Sequence, residues 1–361
     1  MSIKYIKIMK VKHDMEPHEK IYNECVELME IATLANDVFI DNAIKGSVKG
    51  MADELYEVYS KAKGLRIKGS EEKFRADTIQ YNNELITAKK IVEARAPYYS
   101  EFIYTKDDDH WVHVAFDKNN YKPASFRLYL NIKIFKFAYF IRNFWVKITN
   151  YISCPCGGKA KYESYEKKVI CKTCKKDDFY FAFKFHVPLP KTETYRGAMS
   201  ELLRHDKIVM YFPDEESAKA MARTLKEYQN LFEPKTMPLT GEIFPGLGFA
   251  IEPTAEEKEE YIAATGDEQV SFGAYISRLM GELIIKAVQN KRVQVELTYK
   301  NWKAKYPERM GKTDAERYKE RTILYNHIYP LIADNLRALI AGEVRFKRYF
   351  DELAELERLA A

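Results

Sequence analysis

Four cysteines stand in two close pairs, Cys154-Pro-Cys156 and Cys171-Lys-Thr-Cys174. Four thiolates complete a tetrahedral zinc ion, and Cys171-x-x-Cys174 has the usual knuckle spacing. Cys154-x-Cys156 is tighter, and Gly157-Gly158 behind it relieves the turn. The segment Lys159–Ile170 between the pairs can form the hairpin of a zinc ribbon. A closed four-thiolate site leaves no open position for substrate, so its expected role is structural. The clustering argues for a metal in a reducing compartment rather than a disulfide framework. Cys25, alone in a helical pattern, reads as a small buried hydrophobe.

The second chemical candidate follows at once. Phe179-Tyr-Phe-Ala-Phe-Lys-Phe-His186 alternates strictly, which predicts a half-buried strand. Phe179, Phe181, Phe183 and Phe185 face a core. Lys184 and His186 project together from the other face. A lysine and a histidine so placed can serve as base and acid, or can simply decorate a solvated face. The sequence holds no Ser/His/Asp arrangement, Walker motif or kinase motif.

These residues need a scaffold. The chain has 361 residues, 46% of them apolar and 14% aromatic, enough for one large or two medium domains. A balance of 58 basic against 53 acidic residues leaves only +5, so a nucleic-acid partner is not expected. No run of about 18 apolar residues occurs, so neither a transmembrane helix nor a membrane partner is expected. The opening residues lack signal-peptide architecture, and the expected location is cytoplasmic.

Residues 1–98 read as a helical N-terminal lobe, available for packing or for contact with a partner protein. Helical runs appear around Ile21–Leu34, Gly50–Ala62 and 71–97, the last stopping before Pro97. Strands follow at Trp111–Phe116 and Phe126–Ile134, with turn residues Asp117–Asn120 and Pro123 between them. Asp107–Asp109 reads as a solvated loop, and His110 and His113 fall on opposite strand faces. An aromatic helix over 135–151 precedes the cysteines. After the strand of Lys184 come Pro188, Pro190 and Arg196, a strand at Lys207–Phe212, and a helix capped by Asp214. Pro245-Gly-Leu-Gly-Phe-Ala250 could turn backbone N–H groups toward an anion, although a tight turn is the simpler reading. Ser271 and Thr313 or Asp314 cap later helices, Arg278 lies on the first of these, and Asp351–Ala361 reads as a surface helix. The expected fold is α+β: a mixed β-sheet with packed helices, a helical N-terminal lobe (1–98), a core over 99–300 with a zinc-ribbon insertion at 152–178, and C-terminal helices over 301–361.

Several segments, taken in order, resemble the HopA-type family. They are Arg127-Leu-Tyr-Leu-Asn131, Phe183-Lys-Phe185, Arg204-x-Asp206 leading into Met210-Tyr-Phe212, Pro238-Leu-Thr240, Pro245–Ala250 with Glu252-Pro253, and Ser271-Phe-Gly273. The resemblance covers about residues 100–290. That family was first described as type III secretion effectors of plant pathogens. Related domains, found in bacterial operons for ribosomal peptide modification, are associated with lyases that eliminate phosphate from phosphoserine or phosphothreonine in lanthipeptide biosynthesis. The resemblance therefore implies a lyase-like protein acting on a phosphorylated peptide or protein, with export as an effector left open. Two departures stand out. The cysteine module sits where a short connection is expected, and Gly241-Glu242 follow Thr240 where the family has a basic residue.

Elimination of phosphate needs a base for the Cα proton, a cationic pocket and an acid for the leaving oxygen. On the resemblance, Lys184 is the base. Arg127, Arg196 and Arg204 hold phosphate through bidentate forks, with backbone donors at Gly246 and Gly248. His186 as the acid is read from its place beside Lys184. Arg127 and Arg204 could equally be structural partners of Glu252 and Asp206. The alternative function is a non-catalytic effector or phospho-partner binding protein of the same fold.

Overall fold

A computed structural model describes residues 17–61, 71–99, 103–107, 111–116, 122–163, 165–166, 168–177, 179–187, 202–268, 270–307, 312–346 and 349. Arg196, Pro188, Pro190, Asp108, Asp109, His110, Asp117–Asn120 and the closing Asp351–Ala361 lie outside the described residues.

The helices, in chain order, are α1 (Pro17–Ala35), α2 (Val38–Lys45), α3 (Val48–Lys61), α4 (Glu71–Arg95), α5 (Phe137–Asn150), α6 (Glu215–Lys226), α7 (Ala255–Thr265), α8 (Phe272–Gln289), α9 (Arg292–Lys305) and α10 (Asp314–Gly342). The strands are β1 (Ile103–Asp107), β2 (Trp111–Phe116), β3 (Phe126–Leu130), β4 (Ile152–Ser153), β5 (Lys159–Glu163), β6 (Lys168–Cys171), β7 (Phe181–His186), β8 (Ile208–Phe212), β9 (Gly241–Phe244) and β10 (Leu247–Ile251).

Two compact units emerge, residues 1–55 with 278–350 and residues 56–277 with 351–361. This differs from the expected division. Residues 1–98 do not form a lobe of their own, because α1 and α2 group with α9 and α10 while α4 joins the sheet. The boundaries fall inside α3 and α8, where no linker composition marks them.

In the helical unit, α10 starts at a capping box in which the Thr313 side chain and Glu316 satisfy each other's backbone N–H groups. Cys25 is fully buried there, and burial pushes its thiol up to about 12, as befits an inert packing residue.

The other unit is built on a seven-stranded sheet in the order β1-β2-β7-β8-β3-β10-β9. Each neighbouring pair is antiparallel, so the sheet is not mixed as expected. One face is a phenylalanine core. Phe116 stacks on Phe181 at 4.5 Å, Phe144 of α5 meets Phe183 edge-on at 6.0 Å, and Phe137 meets Phe185 at 5.7 Å. Each such buried ring contributes about 1.5–3 kcal/mol. Behind α5 lies α4, where Tyr81 packs on Phe137 and Glu84 accepts the Ala138 N–H. Asp214 caps α6 through the Ser217 N–H at 2.7 Å, as its sequence predicts. Ser271 likewise accepts from the Ala274 N–H. The cysteine module carries its own small sheet, β4-β5-β6, with the expected hairpin pairing Ala160 to Cys171.

Candidate functional site

The polar face of the large sheet gathers its chemistry across strands. Register places His113 of β2 opposite Lys184 of β7, then Val209, Tyr129 and Gly248 on β8, β3 and β10. The next row on the same face runs Ala115, Ala182, Tyr211, Arg127 and Ala250. Trp111 pairs with His186 one row the other way. Diagonal neighbours on one face lie within reach of long side chains. The Lys184 ammonium accordingly sits 4.1 Å from the Trp111 ring centroid and 5.8 Å from that of Tyr211.

Trp111 is the hub. His186 packs on it with ring centroids 3.8 Å apart, and the Arg204 guanidinium lies 5.2 Å from its centroid. The Arg127 guanidinium lies 4.9 Å from the Tyr211 ring. Lys184, Arg204 and Arg127 therefore line one face, separated by two aromatic rings. Lys184, His113, Ala115 and Ala182 are half-buried, and the two alanines are the small residues of the neighbouring row. Among the described residues Lys184 has no carboxylate partner.

The arginines are committed differently. Arg204 donates to both Asp206 oxygens, at 2.8 and 2.9 Å, and both residues are buried. Arg127 is paired with Glu252. Burial opposes the Arg127 charge, but Tyr129 and Tyr211 hold the guanidinium above its ordinary pKa. Of the three arginines expected to hold phosphate, the two described are thus each paired with a carboxylate, which is the structural alternative raised by the sequence. His186 is buried, with its ring packed against that of Trp111.

The glycines do not form an anion cradle. Gly246 (φ +85°) is the turn between β9 and β10, and its N–H donates to Thr236 Oγ1 at 3.0 Å. Gly248 lies inside β10 between Tyr129 and Glu242, where a Cβ would collide with Thr240 Oγ1. The expected loop is a hairpin, and glycine serves close packing there.

Lys207, missed in the sequence, lies buried just ahead of β8. Its ammonium donates to Asn131 Oδ1 and to the Arg204 carbonyl, the latter at 2.9 Å. Burial pushes it down to about 8, against the opposing charges of Glu233 and Asp206 and with help from Arg204. Burial, together with Lys235 and Lys207, also pushes half-buried His205 down to about 3.

At the cysteine module the four Sγ atoms lie within 4.8 Å of one another, with Cys154–Cys174 and Cys156–Cys171 each at 3.6 Å. A tetrahedral ion with about 2.3 Å bonds to sulfur needs edges of roughly 3.8 Å, close to the two 3.6 Å separations here. The Gly158 N–H points at Cys156 Sγ (3.4 Å), and a Cβ on Gly158 would strike Thr173 and approach Cys171 Sγ. These residues could hold a metal ion.

Compared with known proteins, the chain matches no family model and no curated protein. No helix among the described residues is long and apolar enough to cross a membrane.

Proposed function

We propose that the polar sheet face beside Lys184 holds the phosphate of a phosphoserine or phosphothreonine in a peptide or protein. The observation that carries this reading is a half-exposed lysine with no carboxylate partner among the described residues, fixed over Trp111, with small residues beside it. Such a lysine offers a point charge to an anion, while the paired arginines brace the aromatic rings around it. The motif resemblance to HopA-type proteins points to the same ligand class.

Elimination is a second reading, favoured by His113 standing opposite Lys184. Lys184 would take the Cα proton, and the C–H electron pair would become the Cα–Cβ double bond. The Cβ–O bond would break with its electrons leaving on phosphate, protonated by His113. The products are a dehydroamino acid and inorganic phosphate. We also propose that the cysteine ion is zinc, with a structural role, because four thiolates leave it no open position.

One experiment separates these readings. Phosphothreonine peptides are titrated calorimetrically and then incubated and weighed by mass spectrometry, with wild type and Lys184→Ala. Binding lost in the variant supports the anion site, and loss of phosphoric acid from the peptide adds the lyase activity. Peptides that bind neither protein over a broad panel overturn both.

A further inference from the structure

The helical unit contains a cavity of about 610 Å³, lined by the start of α2, by α9 and by the beginning of α10. Its size falls in the range of about 300–1,000 Å³ typical of small-molecule sites. We propose that it binds a planar aromatic ring carrying a phosphate, the chemistry of a nucleoside monophosphate.

One wall is aromatic. Tyr299 and Trp302 stack within 7° at 6.1 Å, and Tyr306 continues the row at 6.1 Å from Trp302. Trp302 is locked in place by its indole N–H, which donates to the Glu320 carbonyl at 2.7 Å. Tyr299 and Trp302 are buried, whereas Tyr306 is half-exposed with the Lys305 ammonium 5.4 Å from its ring centroid, so it is the ring of the row most accessible from the cavity mouth. Offset stacking of a ring on such a wall contributes about 0.5–1.5 kcal/mol beyond its buried area.

The charges decide the rest of the ligand. The acidic side chains at the cavity are already answered: Glu320 takes Lys312 on both oxygens at 2.8 and 2.9 Å, Asp37 faces Arg321 at 3.8 Å, and Asp41 is paired with Lys45. Lys303 and Arg317, both exposed at the rim, have no carboxylate partner among the described residues. The Lys303 ammonium lies over the Tyr299 ring, 4.5 Å from its centroid. Two uncompensated cations beside an aromatic row select a ligand that is flat and apolar at one end and anionic at the other. A guanidinium and an ammonium lining the same cavity suit phosphate oxygens.

The test is calorimetric titration of the full chain with adenosine, guanosine, cytidine and uridine monophosphates, their parent nucleosides and inorganic phosphate. At least one monophosphate is expected to bind about tenfold or more tightly than its nucleoside and than phosphate alone, a difference of 1.4 kcal/mol. The double variant Lys303→Glu/Arg317→Glu is expected to lose at least that factor. Both positions are exposed, so its circular dichroism should be unchanged. If it does not fold, Tyr306→Ser serves in its place with the same expected loss. Lys184→Ala, outside this unit, is expected to bind the nucleotide as wild type does, which keeps this outcome separate from that of the sheet face. Absence of nucleotide binding at millimolar concentration, equal binding of the nucleoside, or unchanged binding by the folded variants overturns the proposal.

Discussion

The ammonium of Lys184 rests 4.1 Å from the centroid of the Trp111 ring, on a neighbouring strand and diagonally across the sheet. Each cation over an indole face contributes about 0.5–1 kcal/mol at an accessible site and more when desolvated. A double-mutant cycle of Trp111→Leu and Lys184→Met, read by urea unfolding, should therefore return a coupling of about 0.5–1 kcal/mol. Additive effects would mean that the ring does not hold the lysine. Trp111→Phe should keep part of the coupling.

Arg204 and Asp206 form a bidentate pair with both side chains buried. Asp206→Asn removes the charge but keeps the shape, leaving a buried guanidinium uncompensated. Breaking such a pair from one side costs about 3–5 kcal/mol. Arg204→Met with Asp206→Leu should cost much less, because no orphaned charge remains. Chemical denaturation of the three proteins measures this. A double variant as unstable as Asp206→Asn would show that packing, not charge, sets the cost.

Much of this arrangement was legible in the sequence, but only along each strand. The alternation over Phe179–His186 placed four phenylalanines in the core and Lys184 on the opposite face because a strand has a period of two. The cysteine spacing likewise anticipated the ribbon hairpin. What alternation along one strand does not carry is the partner strand. Trp111 and His113 became neighbours of His186 and Lys184 only through the β2–β7 register. Tyr211 joined through the β7–β8 register. The tight turn read over Pro245–Gly248 is present at Gly246, but that Gly248 lies inside a strand shows only once β3 pairs with β10. The domain division failed because its boundaries lie within continuous helices, where periodicity is unbroken.

The cysteine module invites a metal-removal experiment. A mercurial that competes for the thiolates should release zinc stoichiometrically into a chromogenic chelator, and Cys171→Ser should purify with less metal. Because β4–β6 form a sheet of their own, metal loss should expose that hairpin to protease first. The phenylalanine core under α5 does not depend on the sulfurs and should remain protected. Release of no metal, or simultaneous collapse of both regions, would count against a local structural ion.

His205 gives the fold an acid sensitivity whose sign can be worked out. Burial and the charges of Lys235 and Lys207 lower its folded pKa to about 3, against about 6.5 in an unfolded chain. Between those values the unfolded state binds the proton and the folded state does not. The unfolded form is therefore favoured as pH falls through 6.5, and stability rises again with pH up to neutrality. Carboxylates in general titrate at lower pH, so the informative window is pH 7 to about 4.5. Over that window His205→Gln, which cannot take up the proton, should lose less stability than wild type when urea midpoints are compared. Parallel curves for the two proteins would show that His205 is protonated equally in both states and carries none of the acid lability.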